Sequence, residues 1–332
     1  MTDESSAVSV VLPVRNEASF IAATLDSILT QDYSGPLEIV IADGMSTDGT
    51  RDIIAACAAA DSRIRLVDNP AGRTPSGLNR AIAAATGEVI VRCDGHSELP
   101  TSYVRTAVRL LAETGAANVG GVQRAEGSSP FSRAVAYAMS SPLGVGDARF
   151  HYGGAAGAVD TVYLGAFRRD AVEAAGGFDE SLLRNQDYEL NIRLRAAGGT
   201  VYFDPRLAVV YHPRDSVGAL ARQYFQYGRW KRRVVRMHPA SLRLRQLAPP
   251  LLVAGLVGSV LLAFGPWPRL GWLLPAVYTG SLVVAGGFEV GRRRDLAAFL
   301  LPVAVATMHL AWGCGFLVGG AGRGDQGATS PA

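Results

Sequence analysis

Val8-Ser9-Val10-Val11-Leu12-Pro13-Val14 is a short β-branched run that stops at Arg15-Asn16-Glu17. Behind it, Ile21, Leu25, Ile28 and Leu29 recur at helical spacing, and Leu37-Glu38-Ile39-Val40-Ile41-Ala42 is a second apolar run. The pattern predicts a strand, a helix over 17–29 and a strand over 37–42. The alternation continues outward. Helices are expected over 50–60, 76–85 and 100–112, the last with a proline in its first turn, and strands over 64–67, 88–93 and 117–122. Repeated strand–helix–strand units predict an α/β fold, a parallel sheet with helices on both faces. Ligands of such sheets gather at the carboxyl ends of the strands. The loops after Val14, Ala42, Val67 and Cys93 are therefore where function is sought.

Composition narrows the class. Of 332 residues, 48% are hydrophobic and only 18% charged, and mean hydropathy is positive at +0.17, which excludes disorder as a description of the whole chain. Three scattered cysteines, Cys57, Cys93 and Cys314, exclude a disulfide scaffold and a zinc cluster and fit a reducing compartment. No GxGxxG follows the first strand and no GxxxxGK[ST] occurs, which argues against a dinucleotide dehydrogenase and a P-loop NTPase.

Charge is unevenly spread. Between Arg214 and Arg245 nine Lys/Arg face one Asp, a net +8, so the rest of the chain carries −5 of the overall +3. Aromatics (Tyr224, Phe225, Tyr227, Trp230) interleave with these cations. The segment 214–245 reads as a basic amphipathic helix at the surface of anionic lipids. Nucleic acid is the poorer partner, because membrane-like sequence follows directly. There, 23 positions between Arg245 and Arg269, 19 between Arg269 and Glu289 and 27 between Asp295 and Arg323 hold no Asp, Glu, Lys or Arg. These are three candidate transmembrane helices within 246–322. Lys/Arg asymmetry places the N-terminal region and the Arg292-Arg293-Arg294 loop inside and the tail, 323–332, outside and disordered. The acidic, polar first residues lack the basic start of an export signal, so the N-terminal domain, 1–213, is expected in the cytoplasm.

Acids and one imidazole mark the strand ends: Asp43-Gly44-Met45-Ser46-Thr47-Asp48-Gly49-Thr50 after the second strand, and Asp94-Gly95-His96 after the fourth. Singly, each acid is accounted for by a turn or a helix cap. Together at the carboxyl ends of parallel strands they suit a divalent cation bridging a diphosphate, Mn²⁺ or Mg²⁺.

These stretches, with Asn79-Arg80-Ala81-Ile82, Asn185-Gln186-Asp187-Tyr188-Glu189-Leu190 and Arg222-Gln223-Tyr224-Phe225-Gln226-Tyr227-Gly228, resemble family-2 glycosyltransferases of the GT-A fold. They are most similar to a bacterial branch with a cytoplasmic catalytic domain and a membrane tail, engaged in exopolysaccharide or cell-envelope glycan synthesis. The resemblance implies that Asp43 holds the uracil of a UDP-sugar. It implies that Pro13, Arg15, Glu17, Arg73 and Asn79 bind the donor, and that Asp94 touches ribose and metal. His96 stands where the family usually has the second Asp of its DxD motif, which implies weaker and pH-sensitive metal binding. His212, in Val210-Tyr211-His212-Pro213, would be a further metal ligand. Asp187 matches the general base, ionised at a helix N-terminus. Glu189 and Asp179 compete for that role, Glu189 from another face of the helix, about 200° away.

The implied activity is inverting, metal-dependent transfer of a hexose, glucose among the candidates, from a UDP-sugar to a lipid-linked saccharide at the cytoplasmic membrane. The alternatives are transfer to polyprenyl phosphate itself and a non-catalytic, membrane-anchored nucleotide-sugar binder. Processive polymerisation is set aside on the thin pore three spans allow, and on taking Gln226–Trp230 as a departure from the family's Gln-x-x-Arg-Trp motif.

Overall fold

The computed structural model describes residues 6–146, 148–265 and 267–319, so the tail expected to be disordered lies outside the described residues. The chain opens with β1 (Val8–Val14), α1 (Ile21–Leu29), β2 (Leu37–Asp43), α2 (Thr50–Ala60), β3 (Ile64–Asp68), α3 (Thr74–Ala84), β4 (Val89–Arg92), α4 (Tyr103–Thr114) and β5 (Asn118–Gly121). Next come β6 (Gln123–Ala125), α5 (Pro130–Met139), α6 (Pro142–Val145), α7 (Arg149–Tyr152), β7 (Gly157–Ala158), β8 (Tyr163–Arg168), α8 (Arg169–Ala174), α9 (Gln186–Ala196), β9 (Val201–Phe203) and β10 (Val209–Tyr211). The last helices are α10 (Val217–Met237), α11 (Ala248–Ala263), α12 (Pro268–Gly271), α13 (Leu273–Arg293) and α14 (Leu301–Val318).

Two compact units result. Of the described residues, 6–124 and 153–210 form the first, and those within 125–152 and 211–319 form the second. In the first, eight strands lie in the order β3-β2-β1-β4-β8-β5-β9-β7. β1 pairs in parallel with β2, Val14 opposite Asp43, and with β4. β1 to β4 are parallel as expected for the mostly parallel sheet of a GT-A fold, and β8 runs antiparallel to both β4 and β5, so the sheet as a whole is mixed. Side chains of β1 and β2 divide between two cores. Val10, Leu12, Ile39 and Ile41 enter one, Val11, Val40 and Ala42 the other. Successive strand residues face opposite ways, and both faces are covered, so buried strands read as unbroken apolar runs.

The second unit has its own core, where Val135 and Ala138 of α5 meet Leu220 of α10, Leu282 of α13 and Val305 of α14. α10 is the basic amphipathic helix, its start capped by Ser216. Gln226, Arg229 and Trp230 keep the Gln-x-x-Arg-Trp spacing after all, so the pentapeptide is no argument against processive synthesis. Three helical stretches, Leu244–Ala263, Pro268–Arg293 and Leu296–Val318, are long and apolar enough to cross a membrane, with mean hydropathies of 1.8, 1.4 and 1.7.

Candidate active site

The site lies in the first unit, in the loops that leave β1, β2 and β4. Two of these loops are stitched together. The backbone turns left-handed at Asn16 (φ 56°) and Met45 (φ 59°). The Asn16 N–H donates to Ser46 Oγ at 2.9 Å, and Thr47 N–H donates back to Asn16 Oδ1 at 2.9 Å. Glu17 N–H donates to Thr50 Oγ1 at 2.8 Å and Ala18 N–H to Asp48 Oδ2 at 3.0 Å. Asp48 also accepts from the Thr50 hydroxyl and N–H, as a turn residue would.

Asp43 ends β2 and is fully buried. Its Oδ1 accepts from the Ser46 hydroxyl at 2.5 Å, and its Oδ2 from Ser46 N–H at 3.1 Å and from Arg51 Nη1 at 2.8 Å. Arg51 reaches on to Asp68 at 2.9 Å. A ligand meets Asp43 only if Ser46 or Arg51 gives way. Arg51 was not singled out from the sequence, although an Arg in the first turn of the helix, eight residues past the acid, was its signal. Arg15 lies across two glycines: its Nη1 donates to Gly72 O at 3.3 Å. Gly72 is left-handed (φ 63°), and a Cβ there would stand 2.7 Å from that nitrogen. Pro13 packs against α3, where a Cβ on Gly77 would come within 3.0 Å of it. Arg73 precedes α3, and its carbonyl takes the Ser76 hydroxyl and the Asn69 amide. Asn79 commits its side-chain amide to the Gly177–Glu180 turn, donating to Phe178 O and Glu180 Oε1 at 2.9 Å and accepting from Phe178 N–H at 2.8 Å.

A second cluster is organised by a residue the sequence reading passed over. Arg92, the last residue of β4, is 4% exposed. Its Nε and Nη2 donate to Asp94 Oδ1 at 3.1 and 2.8 Å, and its Nη1 donates to Asp187 Oδ1. One buried guanidinium thus holds two acids that are 93 residues apart in sequence. Burial alone would raise the Asp94 carboxyl, but Arg92, His96 and Arg184 outweigh it and hold it below the ordinary range. Asp187 lies in the first turn of α9, as expected. The expected ionisation by the helix dipole is not the ruling influence. Enclosure by protein atoms and then the Asp94 charge push its carboxyl up, and Arg92 only partly offsets them. About a third of the Asp187 side chain still meets solvent. The rival acids are otherwise employed. Glu189 is buried and holds Arg193 through both oxygens, at 2.7 and 2.6 Å, and Asp179 accepts from Ser181 N–H in its own turn.

His96 Nδ1 pairs with Glu17 Oε1 at 3.0 Å, and Glu17 packs against Gly95. Glu17 Oε2 is buried with no hydrogen-bond partner. Among the described residues, no three His, Cys, Asp or Glu side chains gather as a metal cage. His212 belongs to the second unit, where its Nδ1 meets Glu126 O at 3.2 Å. Asp94 and His96 nevertheless fit a divalent cation of the Mn²⁺ or Mg²⁺ kind. Arg92 engages only Oδ1 of Asp94, and a carboxylate on Nδ1 orients an imidazole so that Nε2 carries the lone pair. Such ions are commonly held by one or two protein ligands, the rest being phosphate and water.

Comparison with known proteins agrees with this architecture. Residues 9–176 match the family described as Glycosyl transferase family 2. The chain is 34% identical over 319 residues, 95% of its own length and 96% of the other's, to the succinoglycan biosynthesis protein ExoA of Rhizobium meliloti. It is 26% identical over 238 residues, 69% of this chain and 74% of the relative, to a dolichyl N-acetyl-α-D-glucosaminyl phosphate 3-β-D-2,3-diacetamido-2,3-dideoxy-β-D-glucuronosyltransferase of Methanococcus voltae. Its fold is similar to that of the mannosyltransferase PcManGT of Pyrobaculum calidifontis, solved with GDP-Man and Mn²⁺ (TM-score 0.61, 22% identity, 92% of this chain and 86% of that one). It is also similar to S. aureus TarS residues 1–349, solved with UDP (TM-score 0.52, 15% identity, 94% and 90%). With the family matched over half its length and a relative of this identity along nearly all of it, the chain belongs to glycosyltransferase family 2 and is a glycosyltransferase.

Proposed function

We propose that the protein is an inverting, divalent-metal-dependent transferase that moves a hexose from a UDP-sugar to a lipid-linked saccharide at the cytoplasmic face of the membrane. The observation that carries the reading is the buried Arg92 between Asp94 and Asp187. It sets a carboxylate suited to donor and metal beside one suited to take a proton, with no need for a covalent nucleophile. In this reading Asp187 accepts the proton of the acceptor hydroxyl as that oxygen attacks C1 opposite the diphosphate. Its raised affinity for protons makes it a better base than an ordinary aspartate. Asp94 and His96 hold the cation, with Glu17 fixing the imidazole; when bound there, Mn²⁺ or Mg²⁺ supplies charge against the departing diphosphate. Pro13, Arg15, Arg73 and Asn79 shape the donor side, the last through the Gly177–Glu180 turn. Asp43 reads the base after exchanging Ser46 or Arg51 for it. A lipid-linked acceptor is supported by the name of the Methanococcus relative, which describes transfer to a dolichyl-phosphate-linked sugar, and by the apolar helices that follow α10.

The test is nucleotide release by purified full-length protein with UDP- and GDP-sugars, with Mn²⁺ and Mg²⁺ compared, followed by acid treatment of the lipid product. The reading expects UDP release that depends on both metal and lipid-linked saccharide, and a transferred sugar that mild acid frees only as part of an oligosaccharide, its new glycosidic bond intact. Release of the transferred sugar as a monosaccharide would make polyprenyl phosphate the acceptor. Binding without release of nucleotide under every condition would leave a nucleotide-sugar binder.

A further inference from the structure

The three apolar stretches differ in their surroundings. Within the second unit, 11% of the apolar window of Leu244–Ala263 and of Pro268–Arg293 is buried, against 39% for Leu296–Val318. Most of the cover over α14 comes from the cationic helix α10, and the two run parallel along their length. α14 also touches the start of α11, where a Cβ on Gly313 would stand 2.4 Å from Pro249 O, and α13, where Gly286 faces Pro302. Leu220 shares a cluster with Val305 and Met308. Further along, Gly315 faces the Phe225 carbonyl and Gly228 the Trp312 carbonyl, where an added Cβ would stand 2.1 Å from either oxygen. Further still, Arg232 donates to Phe316 O at 3.0 Å and to Leu317 O. The partners advance together, 220 with 305–308, 225–228 with 312–316 and 232 with 316–317, so the two helices share one depth. The other side of α14 meets soluble-type elements: His309 Nε2 pairs with Leu143 O at 2.9 Å. Asp295, just before α14, accepts from Tyr137 at 2.5 Å and pairs with Arg133 at 3.2 Å.

That shared depth cannot be the bilayer interior. Between Val217 and Met237, α10 carries Arg222, Arg229, Lys231, Arg232, Arg233 and Arg236 and no acid. A cation at mid-bilayer is costly, and six on one helix exclude it from crossing. At the end of α14, where the last carbonyls lack helical partners, Arg232 satisfies two of them and complements the helix dipole. That end therefore lies on the side of the basic helix.

We propose that α14 does not cross the membrane. Only α11 and α13 cross, as a hairpin whose tip is α12, and the chain leaves α14 on the same cytoplasmic side as α10. The hairpin has the surface that lipid tails require. Leu251, Leu261 and Phe264 on one arm and Leu273, Val277 and Val284 on the other are 60–91% exposed. Tyr278 Oη pairs with His309 Nδ1 at 3.1 Å, so the part of α13 after Tyr278 shares the depth of α14. The hairpin reaches beyond it by the length of α11, 16 residues or about 24 Å at 1.5 Å per residue, with the α12 tip completing the path through a hydrocarbon core of about 30 Å. Trp267 and Trp272 flank the tip, as expected at a membrane interface.

The test uses the full chain in bacterial cells and needs no transferase activity, so it stands apart from the proposed function. Single cysteines replace Leu270, at the tip, and Val318, at the end of α14, in a chain whose Cys57, Cys93 and Cys314 are serine, and intact cells are treated with a membrane-impermeant maleimide. Leu270→Cys should label in intact cells, and Val318→Cys only after permeabilisation. A fluorescent protein fused after Ala332 of the otherwise unaltered chain should fluoresce, and alkaline phosphatase fused there should be inactive. Labelling of Val318→Cys from outside, or active phosphatase, would mean three crossings and overturn the proposal. So would a tip that labels only after permeabilisation, which would mean that the hairpin dips without crossing.

Discussion

Asp43 ends β2 and Asp94 lies just beyond β4, the two strands that flank β1, yet they are built in opposite ways. Asp43 is sealed, its oxygens shared among partners from its own loop and the following helix. Asp94 is tied to one buried arginine that also holds an acid from a distant helix. In the proposed function the sealed carboxylate serves recognition, because a ligand must offer better partners than those it displaces. The carboxylate in the shared cluster serves chemistry there, because a change of charge at one member is felt by the others. The contrast can be broken at either end.

The largest effect is expected at Asp187. Asp187→Asn keeps the size but cannot take a proton, and kcat should fall about 10²–10⁴-fold while UDP affinity changes little. Steady-state rates and nucleotide binding by calorimetry check this, and lost binding with intact turnover would reverse the assignment. Arg92→Met leaves two acids without their shared partner. Removing one member of a buried ion cluster costs roughly 3 kcal/mol or more, so the melting temperature should drop by several degrees along with turnover. An unchanged melting temperature would show that the cluster does not need its cation. Glu17→Gln weakens the hold on His96 and should raise the Mn²⁺ concentration for half-activity about 10–100-fold. His96→Asp should retain Mg²⁺ use, because it supplies a carboxylate. An unaltered metal titration in Glu17→Gln would remove this loop from metal binding. Asp43→Asn, at the sealed station, should raise the KM for the nucleotide donor with kcat preserved, the opposite split from Asp187→Asn.

The smallest effect is one of pH. Asp187 is pushed above the ordinary aspartate value near 3.8 by enclosure and by Asp94, against Arg92. A base must be ionised to act, so kcat should rise with pH through an acid limb that lies above 3.8. In residual activity of Arg92→Met the limb should move further up, since the opposing charge is gone. A limb that stays in place would mean that another group titrates.

The sequence was legible where periodicity is strong and local. The bounds of β1 and α2 follow the reading to the residue, and those of β2 and β3 to within one. It was illegible where pairing is distant. Nothing in Tyr163-Leu164-Gly165-Ala166-Phe167-Arg168 indicates that this strand inserts antiparallel between β4 and β5. Nor does 125–152 differ in composition from its neighbours, although it belongs to the second unit. The acids of the site were visible as strand-end residues, but their cations were not. Arg92 closes an apolar strand and looks like its solvent-facing end. Only its place between two acids, one of them 95 residues on, explains why it is buried. The dipole argument for Asp187 was sound about the helix and incomplete about the environment, because burial is not a local property.

The stitched loops after β1 and β2 have a thermodynamic consequence. Holding one residue's backbone in a single conformation costs about 1–2 kcal/mol of entropy. Asn16, Glu17 and Ala18 are fixed to Ser46, Thr47, Asp48 and Thr50 by side chain–backbone bonds that need no ligand. Their entropy is lost when the chain folds, not when a nucleotide arrives. Association at this rim should then resemble the closing of a lock already cut. Beyond the displacement of Ser46 or Arg51 from Asp43, it should show a small unfavourable entropy and little slowing from backbone rearrangement, and its affinity should respond to the chemistry of the contacts more than to the length of the loops.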